Sequence, residues 1–443
     1  MQVIHHGAHE GVTGSCHQLV IDQSRSMLID CGLFQGQDAK RHDETHIEFS
    51  LDSVKSLVLT HVHLDHIGRV PYLLEAGFNG PIYCSPPTAK LLPLMLEDAL
   101  RLGVTRNKGI IARFLQELKR LVRPMAYDKK HKLDGNVTMR LVPAGHVLGS
   151  AYVEIEHGDE CFVFSGDLGS TNSPLLIEPV SPDRADMLVL ESTYGDRLHA
   201  GRAQRCQALE DILCRTLENS GVTIIPAFSL GRTQELLYEL NEIFLRVESR
   251  CGCALLNAVD VIVDSPLSIR LTQVYDSMRA YWSQEAKHVL TYDDQPLVFN
   301  NLVQLDNHRD HQSYIKYLHN SKRPAVVIAG SGMCTGGRVT NYLKAFIEDP
   351  TTDIVFVGFQ AIGTPGRYIQ DQAGWVRLDG SKYDIKAAVH TLSGYSAHAD
   401  QADLLRFVQG MKERPKAIRL VHGEPPAKAA LSQKLSELGY NVV

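Results

Sequence analysis

The sequence holds no surplus of basic charge. Lysines and arginines number 45 against 51 aspartates and glutamates, for a formal net charge of −6. That balance excludes a protein coated for non-specific attachment to nucleic acid. Attraction for a polyanion would have to be concentrated at one place or supplied by metal ions. No stretch approaches the ~18 apolar residues needed to span a bilayer. The opening Met1-Gln2-Val3-Ile4-His5-His6 lacks the charged-then-apolar order of a secretory signal. Cysteine is sparse and odd in number: nine residues are scattered, and Cys251 and Cys253 form a Cys-x-Cys pair with no second pair at zinc-knuckle spacing. The expectation is a reduced, cytoplasmic chain with buried thiols rather than a disulfide framework. Internal repeats, low-complexity tracts and long flexible linkers are missing too.

What is present is ordinary globular material. The 443 residues are 44% hydrophobic and 22% charged, enough chain for two or three domains, or for one large body carrying an insertion. Short β-branched runs predict strands at Leu19 to Ile29, Ser56 to Thr60, Cys161 to Phe164 and Met187 to Leu190. Further strands are predicted at Val222 to Pro226, Val261 to Val263, Ala325 to Ala329, Asp353 to Phe359 and Ile418 to Val421. Helical spacing runs through Leu91 to Leu121, with a break near Gly103. It recurs over Gln204 to Glu218, Thr233 to Glu248 and Ala427 to Leu438, the last entered through Pro425-Pro426. The class is α/β.

Twenty histidines are a mild excess, and three of them stand in His61-Val62-His63-Leu64-Asp65-His66. The hexapeptide directly follows a predicted strand, whose end delivers side chains to a sheet rim. Residues two apart in extended chain point the same way, so His61 and His63 can bind one metal ion together. A turn into helix then lets Asp65 and His66 face a second ion. Imidazole with carboxylate suits Zn²⁺ or a similar divalent cation. A lone histidine at a strand end is usually a packing or surface residue, but three with an aspartate inside six residues rarely arise for packing. His146, in the turn-rich Pro143-Ala144-Gly145-His146-Val147-Leu148-Gly149-Ser150, and Asp167, just past a buried strand, are further ligand candidates. Asp30, at another strand end, is expected to orient a histidine or a turn. Ser331 and Gly332 lie in a glycine-rich turn whose amides suit a phosphate, and Arg232 and Arg338 are candidates for bidentate phosphate contacts.

Taken together, His-x-His-x-Asp-His, the upstream Asp30, His146 and Asp167 resemble the four sequence motifs of the metallo-β-lactamase fold. Glu191-Ser192-Thr193-Tyr194-Gly195-Asp196-Arg197 is similar to the first β-CASP motif. Gly394-Tyr395-Ser396-Ala397-His398-Ala399-Asp400 is similar to the second, and Val421-His422-Gly423-Glu424 to the third. Pro226-Ala227-Phe228-Ser229-Leu230-Gly231-Arg232-Thr233-Gln234-Glu235, Gly330-Ser331-Gly332-Met333 and Gly336-Gly337-Arg338 also resemble this group. Its members include the endonuclease of pre-mRNA 3′-end processing and its compact homologues.

The resemblance implies an αβ/βα four-layer sandwich from residues 1–198 and 376–443, with an inserted α/β β-CASP domain at 199–375. It implies two Zn²⁺ per chain, with Mn²⁺ as the alternative. His61, His63 and His146 would hold the first ion, Asp65, His66 and His422 the second, and Asp167 would bridge them. Asp65, Glu191 and His398 become the catalytic candidates, with Glu191 orienting His398 as proton donor. Histidine at position 422 is the form found in RNA-cutting members, so the expected partner is single-stranded RNA, with no membrane and with a homodimer left open. A single-strand DNA nuclease and a small-molecule metallohydrolase on the same scaffold are the alternatives. Against the family's larger members, the sequence is expected to carry neither the N-terminal RNA-binding KH domains nor the additional C-terminal domain of ribonuclease J.

Overall fold

The computed structural model describes residues 1–36, 38–40, 46–171, 173–251 and 258–443. Cys253, one half of the Cys-x-Cys pair, lies outside them, and so does the side chain of Cys251. Seven cysteines are described, and five of them, Cys16, Cys31, Cys84, Cys161 and Cys334, are buried thiols. No helix among the described residues is long and apolar enough to cross a membrane.

The chain divides into two compact units, Met1–Leu198 with His398–Val443, and His199–Ala397. The first junction falls between Leu198 and His199. The return comes at His398 rather than at 376, because Ala388–Thr391 adds as a parallel edge strand to Asp353–Phe356 in the second unit's sheet.

The first unit holds two six-stranded sheets. One runs, in spatial order, Gln2–Gly7, Cys16–Asp22, Arg25–Ile29, Val54–Val58, Ile82–Cys84 and Val122–Pro124. The other runs Ala417–Val421, Met187–Glu191, Glu160–Phe164, Ala151–His157, Val137–Pro143 and His131–Lys132. Their inner faces share one core, in which Leu19, Met27, Ile29 and Val58 meet Met139, Val153, Phe162, Phe164 and Val189. The outer face of the second sheet is covered by helices Gln401–Gln409 and Pro425–Glu437 through Leu404, Phe407, Leu431 and Leu435. Alternate side chains on a strand face opposite ways, so Leu188 and Leu190 pack under these helices while Val189 turns to the inner core. The predicted strand Leu19 to Ile29 is in fact two. The chain reverses at Gln23-Ser24, where the Asp22 carboxylate accepts from the Ser24 amide and hydroxyl at 2.9 Å. The predicted break near Gly103 is a π-helical turn, Leu100–Val104, between helices Pro86–Ala99 and Lys108–Leu121.

The second unit is built on a six-stranded, all-parallel sheet in the order Leu302–Gln304, Asp260–Asp264, Ala325–Ala329, Val222–Pro226, Asp353–Phe356 and Ala388–Thr391. Central strands of such a sheet are buried on both faces, and every residue of Val222–Pro226 and of Ala325–Ala329 is buried accordingly.

Candidate metal centre

Every predicted ligand stands in the first unit, on a loop, at a strand end or in the short helix that follows one. Strand Val54–Val58 leads through Leu59-Thr60 to His61 and His63. Helix Leu64–Ile67 begins at once and carries Asp65 and His66. His146 sits in the connection between Val137–Pro143 and Ala151–His157, Asp167 follows Glu160–Phe164, and His422 follows Ala417–Val421. The C-terminal strand brings His422 into place by pairing parallel with Met187–Glu191, Val421 opposite Glu191. Sheet register therefore carries a residue from the end of the chain to ligands some 350 positions earlier.

The ring nitrogens converge. His61 Nε2 and His146 Nε2 each lie 3.0 Å from His63 Nδ1, and 3.5 and 3.6 Å from Asp167 Oδ2. Beside this set, His422 Nε2 lies 3.4 Å from Asp65 Oδ2, while His66 Nε2 and His422 Nε2 lie 3.3 and 3.5 Å from Asp167 Oδ1. Asp167 thus turns one oxygen to each group. His61, His63, His146 and Asp167 form one cluster able to hold a cation, and Asp65, His66 and His422 form another.

The atoms that face each other are unsatisfied. Asp167 Oδ1, His66 Nε2 and His422 Nε2 are buried without a hydrogen-bond partner of good geometry. Stranding three such atoms would cost about 1–3 kcal/mol each, an arrangement that a shared cation would relieve. Burial, aided by neighbouring rings, holds the His61 imidazole well below its usual proton affinity, and burial likewise brings His63 down to about 4. Both rings therefore present the neutral lone pair a metal requires. Burial works against charge on Asp65 as well, but the His422 and His66 rings outweigh it and bring this carboxyl down to about 2. His66 goes the other way. Burial opposes its proton, yet Asp167 and Asp30 on either side push its affinity well up. A well deep enough to hold a proton between two carboxylates also suits a metal ion.

The supporting contacts fix each ring. The Asp30 carboxylate accepts from His66 Nδ1 at 2.7 Å, from the Thr60 amide at 2.8 Å and from the Thr60 hydroxyl at 2.7 Å. This leaves His66 Nε2 to face inward. Thr60 Oγ1 lies 3.1 Å from His61 Nδ1, and Thr193 Oγ1 lies 3.1 Å from His422 Nδ1. Neither threonine was singled out from the sequence. Their signal was position alone: one directly precedes His61 and the other lies two residues beyond Glu191. Asp30 and His422 both have left-handed backbone, with φ of 62° and 51°. Non-glycine residues in that region concentrate at functional turns.

Glu191 is fully buried and accepts from the Leu168 amide at 2.6 Å. Its two oxygens lie 3.3 and 3.2 Å from His398 Nδ1. The His398 side chain keeps 16% exposure, so a buried carboxylate backs a ring that still reaches solvent.

Three family models match in turn. Residues 11–202 match the metallo-β-lactamase superfamily, 233–369 the Beta-Casp domain, and 382–443 a zinc-dependent metallo-hydrolase RNA specificity domain. A ribonuclease of Thermus thermophilus is 35% identical over 444 positions, covering all of this chain and 97% of that protein. The chain belongs to the β-CASP group of the metallo-β-lactamase superfamily. The transcription termination factor FttA of Methanosarcina mazei is 30% identical over 450 positions, covering 97% of this chain and 68% of that factor. The FttA of Methanocaldococcus jannaschii is 30% identical over 435 positions, 94% of this chain and 66% of that factor.

The phosphate-binding candidates of this β-CASP chain all lie in the second unit, and the arginines are already engaged. Arg338 pairs with the buried Asp264 and donates to the Leu305 carbonyl at 2.8 Å. Arg232 is 4% exposed, with its NH1 2.5 Å from Glu235 Oε2. Both are candidates for bidentate phosphate contacts, and each is held in an ion pair by a carboxylate. The Ser331 amide donates to the Gly336 carbonyl at 3.3 Å, and Gly332 is buried with its carbonyl taken by Gln360 Nε2 at 2.8 Å. In this turn the Ser331 amide closes the loop on itself.

Proposed function

We propose that this chain is a metal-dependent ribonuclease that hydrolyses phosphodiester bonds of single-stranded RNA. The observation that carries the reading is the split carboxylate of Asp167, one oxygen toward three histidines and the other toward His66 and His422. His61, His63 and His146 would hold one zinc ion, Asp65, His66 and His422 a second, with Asp167 shared. When bound, the ions supply Lewis acidity to a phosphate and lower the pKa of water toward neutrality.

The chain's own residues supply the rest. Asp30, Thr60 and Thr193 keep the ligand rings turned inward, so little reorganisation is needed at the moment of reaction. His398 is the proton donor to the departing 3′ oxygen, leaving a 3′ hydroxyl on one product and a 5′ phosphate on the other. Glu191 fixes its ring by a contact to Nδ1 and leaves Nε2 for the leaving group. The RNA specificity model over 382–443 and the ribonuclease relative support RNA over DNA.

The test is purified protein of known metal content, incubated with single-stranded RNA labelled at the 5′ end and, separately, at the 3′ end. Cleavage that is lost together with bound metal in His63→Ala supports the reading, and the two ladders separate internal cutting from 5′ trimming. A metal-loaded preparation that leaves RNA intact, or that cuts matched DNA preferentially, would refute it.

A further inference from the structure

One part of the chain breaks its acidic character. Between Arg101 and Lys132 stand ten lysines and arginines against only Glu117 and Asp128, in a chain of net charge −6. All ten basic residues are exposed. Seven ride on the turn Leu100–Val104, the helix Lys108–Leu121, and the short strands Val122–Pro124 and His131–Lys132, while Arg106, Lys129 and Lys130 lie in the connections between them. Those two strands are the last in their respective sheets, so the basic residues gather along one side of the sandwich.

Part of this charge has a structural explanation. Arg101 pairs with Glu97, Arg120 with Glu117 and Lys130 with Glu156. Lys119 and Arg120 lie in the last helical turn, where cations suit the helix dipole. Arg123 and Lys132 stand on edge strands, where basic side chains deter pairing with other molecules. Arg106, Lys108, Arg113 and Lys129 have none of these reasons. They make no ion pair among the described residues, and Lys108 occupies the first turn of its helix, where a cation opposes the dipole and no carboxylate offsets it. Charge placed against the interest of the fold points outward, to a ligand.

The flank is tied to the metal centre by strand register. Val58 pairs with Tyr83, and Tyr83 with Arg123, in one parallel row. Adjacent strands lie about 4.8 Å apart, which puts Arg123 roughly 10 Å to the side of Val58, the last residue of the strand that leads through Leu59-Thr60 to His61.

We propose that this flank, centred on Arg106, Lys108, Arg113 and Lys129, is a second contact surface of the protein, holding the phosphate backbone of single-stranded RNA outside the site of cleavage. The inference rests on the ribonuclease reading and adds to it: long RNA is gripped at two places, short RNA at one. Backbone contacts of this kind carry no sequence preference and weaken steeply with salt.

The test is the full chain with Arg106→Gln, Lys108→Gln, Arg113→Gln and Lys129→Gln combined. All four side chains are exposed, and loss of Lys108 relieves the helix dipole, so the melting temperature should not fall. On RNA of about 40 nucleotides, kcat/KM should drop roughly ten-fold or more near 150 mM salt. The slope of its logarithm against that of salt concentration should shrink by up to about 3, at ~0.7 for each phosphate no longer neutralised. On RNA of about 6 nucleotides, kcat/KM should stay within about two-fold of the parent, as expected if the four residues act only on distant phosphates. A variant that matches the parent in both rate and salt slope on the long substrate overturns the proposal while leaving the ribonuclease reading intact, and would turn the search toward an acidic protein. A parent that cuts neither RNA takes down both.

Discussion

His398 is under two opposing pulls. Burial disfavours its proton, while Glu191, Asp167 and Asp65 favour it, and the carboxylates prevail to bring the ring up to about 8. An acid with that affinity is protonated below about pH 8 and loses its proton above it, so cleavage should be sustained on the acid side and fall as pH rises through this value. Bound cations would move the limb to lower pH by repulsion, never higher. Glu191→Gln removes the nearest negative charge and should shift the falling limb further down, measured as the pH dependence of kcat. His398→Ala should keep the metal content of the parent and lose about 10²- to 10⁴-fold in kcat, the usual span for a general acid. Metal lost along with activity in that variant would make His398 a ligand instead. At this scale the sequence was most informative where chemistry is contiguous: three histidines and Asp65 within six positions. It was least informative about Arg338, whose partner Asp264 lies 74 positions away, and about Arg232, whose charge is answered within its own helix by Glu235.

Strands are the elements that make the site possible, because each ends where a ligand is needed. Met187–Glu191 is central among them, paired on one side with Glu160–Phe164, which leads to Asp167, and on the other with Ala417–Val421, which leads to His422. Leu188 sits on this strand with no exposure, under the covering helices. Leu188→Ala should cost about 2–5 kcal/mol through lost burial and the cavity left behind. A drop of that size in denaturant midpoint, with metal stoichiometry unchanged at low denaturant, would show that the strand acts through packing. These three strands were legible as apolar runs, whereas Val137–Pro143 and Ala151–His157, which flank His146, were not singled out. The hairpin inside Leu19 to Ile29 was not, because its turn contains neither glycine nor proline and is held by the Asp22 side chain. The edge strand Ala388–Thr391 is only partly buried, and its polar His390 and Thr391 gave no continuous apolar run to mark it.

At the scale of the molecule, the metal centre ties together segments that the chain separates by hundreds of residues, all within the first unit. His61 and His422 are brought within one site only if both sheets and the C-terminal strand are formed. Cations bound there stabilise the folded first unit and have no matching site in the unfolded chain. The stabilisation follows the logarithm of free metal over its dissociation constant, about 2.7 kcal/mol at a hundred-fold excess. The second unit contains none of these ligands and has its own sheet and core. Calorimetry of the full chain should therefore resolve a transition that moves with zinc concentration and one that does not. Chelation should lower the first by several degrees and leave the second in place, and added zinc should restore it. Digestion during heating can assign the transitions, since fragments from the first unit should appear at the metal-sensitive temperature. If chelation moved neither transition, or moved the one that yields fragments of the second unit, the clustered imidazoles would not be holding metal in the folded protein, and the shared-carboxylate site would have to be abandoned.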